Sequence, residues 1–210
     1  VNIVIKGKWI VSVNATQNTI PEDTKKELDM GGRLVLPSLI NPHTHLDKAG
    51  LADKIVNKSG TINEARSKVL EAKHTIKKEE IKARAKDVIL DSVQNGVTII
   101  RTHVDVDPFI GMKGIEALLE LKQECKDIID LQIVAFPQEG ISEVPGTYDL
   151  LRESLSAGSD IVGGHLSVAK DYYEHANKVF DLAEEFDKDI DVHVDYDIDR
   201  NFEKLSKHKD

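Results

Sequence analysis

Short apolar runs alternate with amphipathic segments over most of the chain. The apolar runs are LVLPSLI at 34–40, VTII at 97–100, LQIVAF at 131–136, DIVGG at 160–164 and DIDVHV at 189–194. Segments with helical periodicity separate them, at 62–96, 113–127, 148–158 and 171–187. Strands that are apolar on both faces and alternate with amphipathic helices form parallel sheets covered by helices. The pattern therefore predicts an α/β fold with five βα steps.

The first thirty residues follow a different pattern. Apolar and polar positions alternate through Ile3, Ile5, Trp9, Val11 and Val13, and a polar tract follows them. A period of two is typical of antiparallel strands joined by a loop. We predict a small β module here, too short to be stable alone.

The pattern leaves two arrangements of the five parallel strands open, a doubly wound sheet and a (β/α) barrel. The chain has 210 residues, whereas a complete eight-stranded barrel needs roughly 250. In both arrangements the functional residues lie at the carboxyl ends of the strands. The strand ends are therefore the place to look for chemistry.

Charge and cysteine content exclude several classes of protein. The chain carries 28 Lys and Arg against 37 Asp and Glu, a net charge of −9, which argues against a nucleic-acid partner. No apolar run reaches the roughly 18 residues of a membrane span. The single Cys125 cannot form an internal disulfide, and Lys6 and Lys8 interrupt the N-terminal apolar stretch. We expect a cytoplasmic protein that binds neither nucleic acid nor membrane.

Histidines at two strand ends form a candidate metal site. His43 and His45 end the first run, and side chains at i and i+2 of a strand point the same way. His193 ends the fifth run. Neutral imidazole binds zinc and ferrous iron, and in a parallel sheet these strand ends share one edge. The pattern predicts that the three histidines bind one divalent metal ion.

Other strand ends carry polar residues with supporting roles. Arg101, His103 and Asp105 follow the second run on one side of the strand, and we interpret them as residues that orient metal ligands. Gln138 ends the third run, and its side-chain amide offers both a donor and an acceptor to a heterocyclic substrate. His165 ends the fourth run and is a second candidate for substrate contact.

The remaining histidines have a simpler interpretation. His74 and His175 fall within helical segments and His208 lies in a charged tail. We expect all three on the solvated surface.

Four segments together resemble a known family, the metal-dependent amidohydrolases, and within it the cytosine deaminase branch. They are LVLPSLINPHTHLD at 34–47, RTHVDVD at 101–107, IDLQIVAFPQEG at 129–140 and DIDVHVD at 189–195. The resemblance implies a (β/α)8 TIM-type barrel, of which this chain covers the N-terminal five βα units. It also implies a partial small β-sandwich at 1–33, a partial barrel at 34–210, and one iron or zinc ion.

The resemblance also assigns roles to individual residues. His43, His45 and His193 match the metal histidines, and Gln138 matches a residue that hydrogen-bonds the substrate ring. The implied reaction is hydrolysis of a non-peptide C–N bond in a cyclic amidine or amide, by attack of metal-activated water on a small heterocyclic substrate. Further metal ligands of the family come from later strands, so the 210 residues alone are expected to lack full activity.

One position departs from the deaminase pattern. Tyr196 stands where these deaminases have a glutamate that shuttles protons, and a phenol is a poor substitute because its pKa is near 10. The flanking Asp195 and Asp197 are the candidate catalytic acids. A triazine or dihydroorotase-like hydrolase specificity therefore stays open beside deamination.

Two further hypotheses concern the chain as a whole. It could be a catalytically inactive homologue or binding module that retains the barrel half without turnover. A half barrel also leaves the edges of its first and fifth strands unpaired, and exposed edges favour association. A homo-oligomer that closes these edges is therefore a hypothesis, and the mass of the protein in solution tests it.

Overall fold

The computed structural model describes residues 1–7, 9–14 and 25–194. The chain divides into two compact units, Val1–Pro37 and a second that begins at Ser38. Among the described residues, no helix is both long and apolar enough to cross a bilayer.

The first unit contains two strands, β1 (Asn2–Lys6) and β2 (Trp9–Asn14). They pair antiparallel, with a register irregularity after Val4. The structure thus confirms the two short strands that the alternating pattern predicts. Both strands keep most of their apolar side chains exposed, and Trp9 is 67% exposed.

The second unit contains a sheet of five parallel strands. These are β3 (Leu39–Thr44), β4 (Val97–Asp105), β5 (Asp130–Phe136), β6 (Ile161–His165) and β7 (Asp189–His193). Their order in the sheet is their order in the chain. A doubly wound sheet reverses its strand order at a switch point, whereas a (β/α) barrel does not. The described strands therefore follow the barrel arrangement, and the α/β prediction is confirmed.

Five helices connect the strands. They are α1 (Ile62–Lys73), α2 (Lys78–Gln94), α3 (Lys113–Glu124), α4 (Thr147–Ala157) and α5 (Tyr172–Phe186). Side chains cap two of them: Thr61 accepts from the backbone N–H of Glu64, and Asp171 accepts from those of Tyr173 and Glu174. Such caps satisfy N–H groups that have no partner within the helix.

Two sequence predictions are wrong in detail. The single helical segment over 62–96 is two helices, because the chain turns at 74–77 and buries Ile76 in the core. The first strand begins at Leu39 and not at Leu34, which is 80% exposed. Pro37 lies between the predicted and the observed start, and proline has no N–H for a strand ladder.

Helices α2 and α3 pack side by side against the sheet. Ile81, Ala85 and Ile89 of α2 recur every four residues and are buried with Leu118 and Leu121 of α3. Outside this apolar seam, lysines of α2 pair with glutamates of α3 in a ladder: Lys78, Lys82 and Lys86 with Glu116, Glu120 and Glu124. The pairs are partly exposed, so each contributes at most about 1 kcal/mol.

Gly163 allows strand β6 to lie close to β5. A Cβ at this position would lie 2.5 Å from the carbonyl oxygen of Ala135 and 3.0 Å from the Cα of Phe136. A backbone atom cannot turn aside as a side chain can. The first glycine of the GG pair in the fourth apolar run is therefore a packing requirement of the sheet.

We expect Gly163→Ala to lower the free energy of unfolding by about 1–3 kcal/mol, because it overpacks the sheet. Gly164→Ala is the comparison, since a Cβ there meets methyl groups of Val192 and Val179 that can move. Urea denaturation of both variants measures the difference. An equal or smaller loss for Gly163→Ala would contradict the backbone explanation.

Candidate active site

Three histidines meet at the carboxyl end of the sheet. His43 lies near the end of β3, His45 follows the end of that strand, and His193 is the last residue of β7. One ligand atom from each lies within 4.8 Å of the others. The structure thus brings together the three residues that the sequence assigns to a metal.

The approach of β3 and β7 requires a strongly curled sheet. The two strands are at opposite edges of the five-stranded order. In a flat sheet, four spacings would separate them by roughly 19 Å. The ring centroids of His43 and His193 are 4.9 Å apart. Curling therefore creates the site, as it does at the mouth of a barrel.

Burial keeps two of the three imidazoles uncharged. It lowers the pKa of His45 to about 2, with the Lys48 charge acting in the same direction, and it lowers the pKa of His193 to about 3. A neutral imidazole has a free electron pair that can bind a cation. The Nδ1 atom of His45 is buried without a hydrogen-bond partner among the described residues, and a bound cation would satisfy such an atom.

His103 lies in the middle of the histidine group. Its side chain is fully buried, and its ring centroid is 4.5 Å from that of His43 and 4.8 Å from that of His193. Its Nε2 is 3.3 Å from Oδ1 of Asp191, whose Oδ2 accepts from Nη1 of Arg101 at 2.8 Å. The neighbouring His103 and Arg101 side chains lower the pKa of Asp191 to about 2. The arrangement is suited to holding the rings in place, which remains a prediction for His103 and Arg101.

A buried network of charges lies beside the histidines. Lys48 donates from Nζ to Oδ1 of Asp105 at 2.6 Å. Lys73 forms ion pairs with Asp105 at 2.9 Å, Asp107 at 2.6 Å and Glu139 at 2.9 Å. Burial opposes the ionisation of Asp105, yet the two lysines outweigh it and lower its pKa to about 2. The network ties α1 to the ends of β4 and β5.

The two predicted substrate residues lie against each other. Nδ1 of His165 is 3.0 Å from the backbone oxygen of Gln138 and 3.1 Å from its side-chain Nε2. Lys48 donates to the side-chain Oε1 of Gln138 at 3.1 Å. On the other side of the imidazole, Nη2 of Arg66 lies 3.2 Å from Nε2 of His165. These groups form one edge of the site. The ring centroid of His165 is 5.7 Å from that of the metal candidate His193.

Comparison with individual proteins, and not with family models, identifies the family. No family model matches the chain. The chain is 35% identical over 200 residues to an N-isopropylammelide isopropyl amidohydrolase of Pseudomonas sp. strain ADP, covering 92% of this chain and 49% of that protein. It is 28% identical over 203 residues to a pterin deaminase of Rhizobium rhizogenes, covering 94% and 46%.

Solved structures agree with the sequence comparison. The crystal structure of a 5-methylcytosine deaminase from Klebsiella pneumoniae, liganded with phosphonocytosine, matches with a TM-score of 0.77 at 35% identity, covering 86% of this chain and 46% of that one. The chain belongs to the amidohydrolase superfamily. It spans about half the length of the curated relatives it matches. The resemblance drawn from the sequence and the TIM-barrel type of fold are confirmed.

Sequence reasoning missed the cationic side chains of this candidate site. Lys48, Arg66 and Lys73 all contact strand-end residues, but they are far from those residues in sequence. One signal was present in the sequence: four acidic residues at strand ends, Asp47, Asp105, Asp107 and Glu139, require cations if they are buried.

One prediction about the histidines is wrong. His175 was expected at the surface of its helix but is buried, with 1% of its area exposed. Its Nε2 accepts from the backbone N–H of His165 at 3.1 Å, and burial lowers its pKa to about 4. His74 is exposed, as expected. Asp195, Tyr196, Asp197 and His208 lie outside the described residues, so the catalytic role of the two aspartates stays a prediction.

Proposed function

We propose that this chain supplies the metal-binding and substrate-recognition half of an amidohydrolase that hydrolyses a C–N bond of a small nitrogen heterocycle. The observation that carries the proposal is the meeting of His43, His45 and His193 within 4.8 Å. Gln138 contacts His165, whose ring centroid is 5.7 Å from that of His193. Deaminases and an amidohydrolase among the relatives support it. Deamination of a cytosine-like ring is the first specificity to test.

One divalent ion, zinc or ferrous iron, fits the residues present. The donors are imidazole nitrogens, which suit both metals, and burial keeps His45 and His193 neutral. His43, His45 and His193 would hold the ion. When bound, it would supply Lewis acidity and make water a stronger acid.

The chain's own residues prepare the site around that position. Phe136 is fully buried, and its ring centroid is 4.4 Å from that of His193, so it excludes water from the floor of the site. Gln138 presents its amide to the ring of a substrate. Proton transfer to the leaving group would fall to Asp195 or Asp197, as the sequence predicts.

Metal binding tests the proposal directly. After loading with zinc and removal of free metal, we expect the protein to retain close to one equivalent, measured by elemental analysis. The double variant His43→Ala, His45→Ala should lose nearly all of it, because two of three donors are gone. His74→Ala is the matched control, since this histidine is exposed and its ring packs against Phe109, and it should retain the metal.

Two outcomes would reject the proposal. Wild-type protein that retains almost no metal would favour the inactive homologue or binding module. Equal retention in the double variant and the wild type would show that the metal binds elsewhere.

A further inference from the structure

Arg84 of α2 holds the backbone of the turn at 45–49, which directly follows β3. Its Nη2 donates to the backbone oxygen of Asp47 at 3.0 Å, and its Nη1 donates to the backbone oxygen of Ala49. The Arg84 side chain is largely buried. A guanidinium from another element is therefore attached to the turn that begins at the metal candidate His45.

Arg84 completes the hydrogen bonding of this turn. From 45 to 49, the first, second and fourth backbone oxygens accept from N–H groups three residues later in the chain, at 3.1, 3.3 and 3.3 Å. The third and fifth oxygens, of Asp47 and Ala49, accept from the guanidinium. Buried carbonyl groups need such partners, so removal of Arg84 would leave two of the five unsatisfied.

Strand β4 holds the other side of the 45–49 turn. Oγ1 of Thr102 accepts from the backbone N–H of Leu46 at 3.0 Å, and Oδ2 of Asp47 accepts from the backbone N–H of Asp105 at 2.9 Å. Both contacts are buried. The turn is thus fixed between a strand and a helix, immediately after the residue that carries a metal-binding imidazole.

Gly50 lets the chain bend around the stem of Arg84. Its φ is +68°, in the left-handed region that favours glycine, and a Cβ there would lie 3.6 Å from Cδ of Arg84. Glu80 of α2 lies 3.8 Å from Nε of Arg84 and pairs with Lys54 at 2.7 Å. That pair is exposed and contributes little to stability. Among the described residues, Arg84 is therefore the main polar attachment between the 45–49 turn and α2.

The direction of the His45 imidazole depends on this backbone. Its Nδ1 is buried without a hydrogen-bond partner among the described residues, so a side-chain hydrogen bond at that atom does not orient the ring. Metal affinity is sensitive to the groups that orient a ligand. A shift of the turn would move the His45 ring away from His43 and His193.

We propose that Arg84 is a positioning residue for metal binding, which fixes the 45–49 turn through two carbonyl groups and thereby aims the His45 imidazole at the metal position. The inference rests on the proposed function, because it assumes that His45 binds a metal ion. Arg84 acts through the backbone and not as a ligand. Its rigid fork of donors spans two oxygens, whereas a lysine ammonium group is a single point.

Zinc affinity tests the proposal, measured by competition with a chelator on the 210-residue protein. Arg84→Met should bind zinc about tenfold or more weakly, the usual effect of removing a group that orients a metal ligand. A purely electrostatic influence of Arg84 predicts the opposite sign, because removal of a positive charge favours a bound cation. Lys86→Met is the matched control, since Lys86 is on the same helix and pairs with Glu124 at the surface, and it should bind zinc like the wild type.

Arg84→Lys tests the fork itself. It keeps the charge and most of the stem but can donate from only one nitrogen, so its zinc affinity should lie between those of Arg84→Met and the wild type. If Arg84→Met does not fold, Arg84→Lys decides alone, and a zinc affinity equal to that of the wild type would overturn the proposal.

Two further measurements distinguish positioning from a general loss of stability. Cobalt in place of zinc gives a visible absorption spectrum that reports the geometry of the ligands, and this spectrum should change in Arg84→Met. A variant that is only less stable, but folded, would keep the wild-type spectrum. In the metal-free protein, the amides of Lys48 and Ala49 should exchange hydrogen about tenfold faster in Arg84→Met, because their turn opens more easily, while those of β5 should not change.

The outcomes separate this inference from the proposed function. Wild-type protein that binds no zinc rejects the proposed function, and hydrogen exchange then decides whether Arg84 fixes the turn: equal exchange in Arg84→Met and the wild type would overturn that role. If the wild type binds zinc, an unchanged or higher zinc affinity in folded Arg84→Met, or an unchanged cobalt spectrum, overturns the inference and leaves the metal site standing.

Discussion

Replacing Lys73 with methionine is expected to lower the free energy of unfolding by about 3–5 kcal/mol, because it leaves buried carboxylates without their cation. The Lys73 side chain is 3% exposed and forms ion pairs with Asp105, Asp107 and Glu139, two of which are themselves fully buried. Burial opposes the charge on Lys73, yet these three carboxylates raise its pKa above the ordinary value. Methionine keeps nearly the length of the lysine side chain, so the loss of stability is electrostatic.

Urea denaturation of Lys73→Met measures this loss. Lys82→Met is the matched control, since Lys82 also contacts two glutamates but is 27% exposed, and it should cost less than about 1 kcal/mol. Adding Asp107→Asn to Lys73→Met should recover part of the stability by removing one unpaired charge. Similar losses for the two lysine variants would show that the network is not buried in solution.

Acid is expected to destabilise the fold through His175. Its pKa is lowered to about 4, mainly by burial, from about 6.5 in the unfolded chain. The unfolded state binds the proton first, so this contribution is complete above pH 6.5 and is lost as the pH falls toward 4. The expected loss is about 3 kcal/mol. Glu143 and Glu174 oppose this shift in pKa, whereas His165 and Lys178 reinforce it.

His175→Gln isolates this contribution. Its amide oxygen can accept from the backbone N–H of His165, as Nε2 does in the wild type, but it does not titrate. The free energy of unfolding of the variant should fall less between pH 7 and pH 4, measured by urea denaturation at several pH values. His74→Gln is the control and should follow the wild type. Identical pH profiles for all three proteins would show that His175 is accessible to protons in the folded state.

The sequence contained the information needed to place His175 correctly. The buried positions of α5 are His175, Ala176, Val179, Leu182 and Ala183, which recur with helical period on one face. The residue type suggested a surface position, and the periodicity pointed to the core. The periodicity gave the correct position, because the backbone N–H of His165 donates to the buried imidazole and satisfies its acceptor nitrogen.

The strand ends were predictable because parallel strands all place their carboxyl ends at one edge of the sheet. That rule places His43, His45 and His193 at one end of the sheet, and the curl of the sheet then brings them together. It gives no information on which distant side chains reach that edge. Lys73 and Arg66 belong to α1, but the periodicity predicts one continuous surface helix over 62–96. The structure shows that the chain turns at 74–77, so α1 is a separate helix.

Helix α1 contributes two cationic side chains to the candidate site, Arg66 and Lys73. Arg66 and Lys73 are seven residues apart, two helical turns, so they project from the same side of α1. The buried ion pairs of Lys73 anchor the C-terminal end of α1 and fix the rotation of the helix about its axis. This rotation sets the direction in which the Arg66 guanidinium projects. Weakening that anchor should therefore change the contact between Arg66 and His165 before the protein unfolds, so a residue that lies outside the histidine trio can reshape the edge of the site.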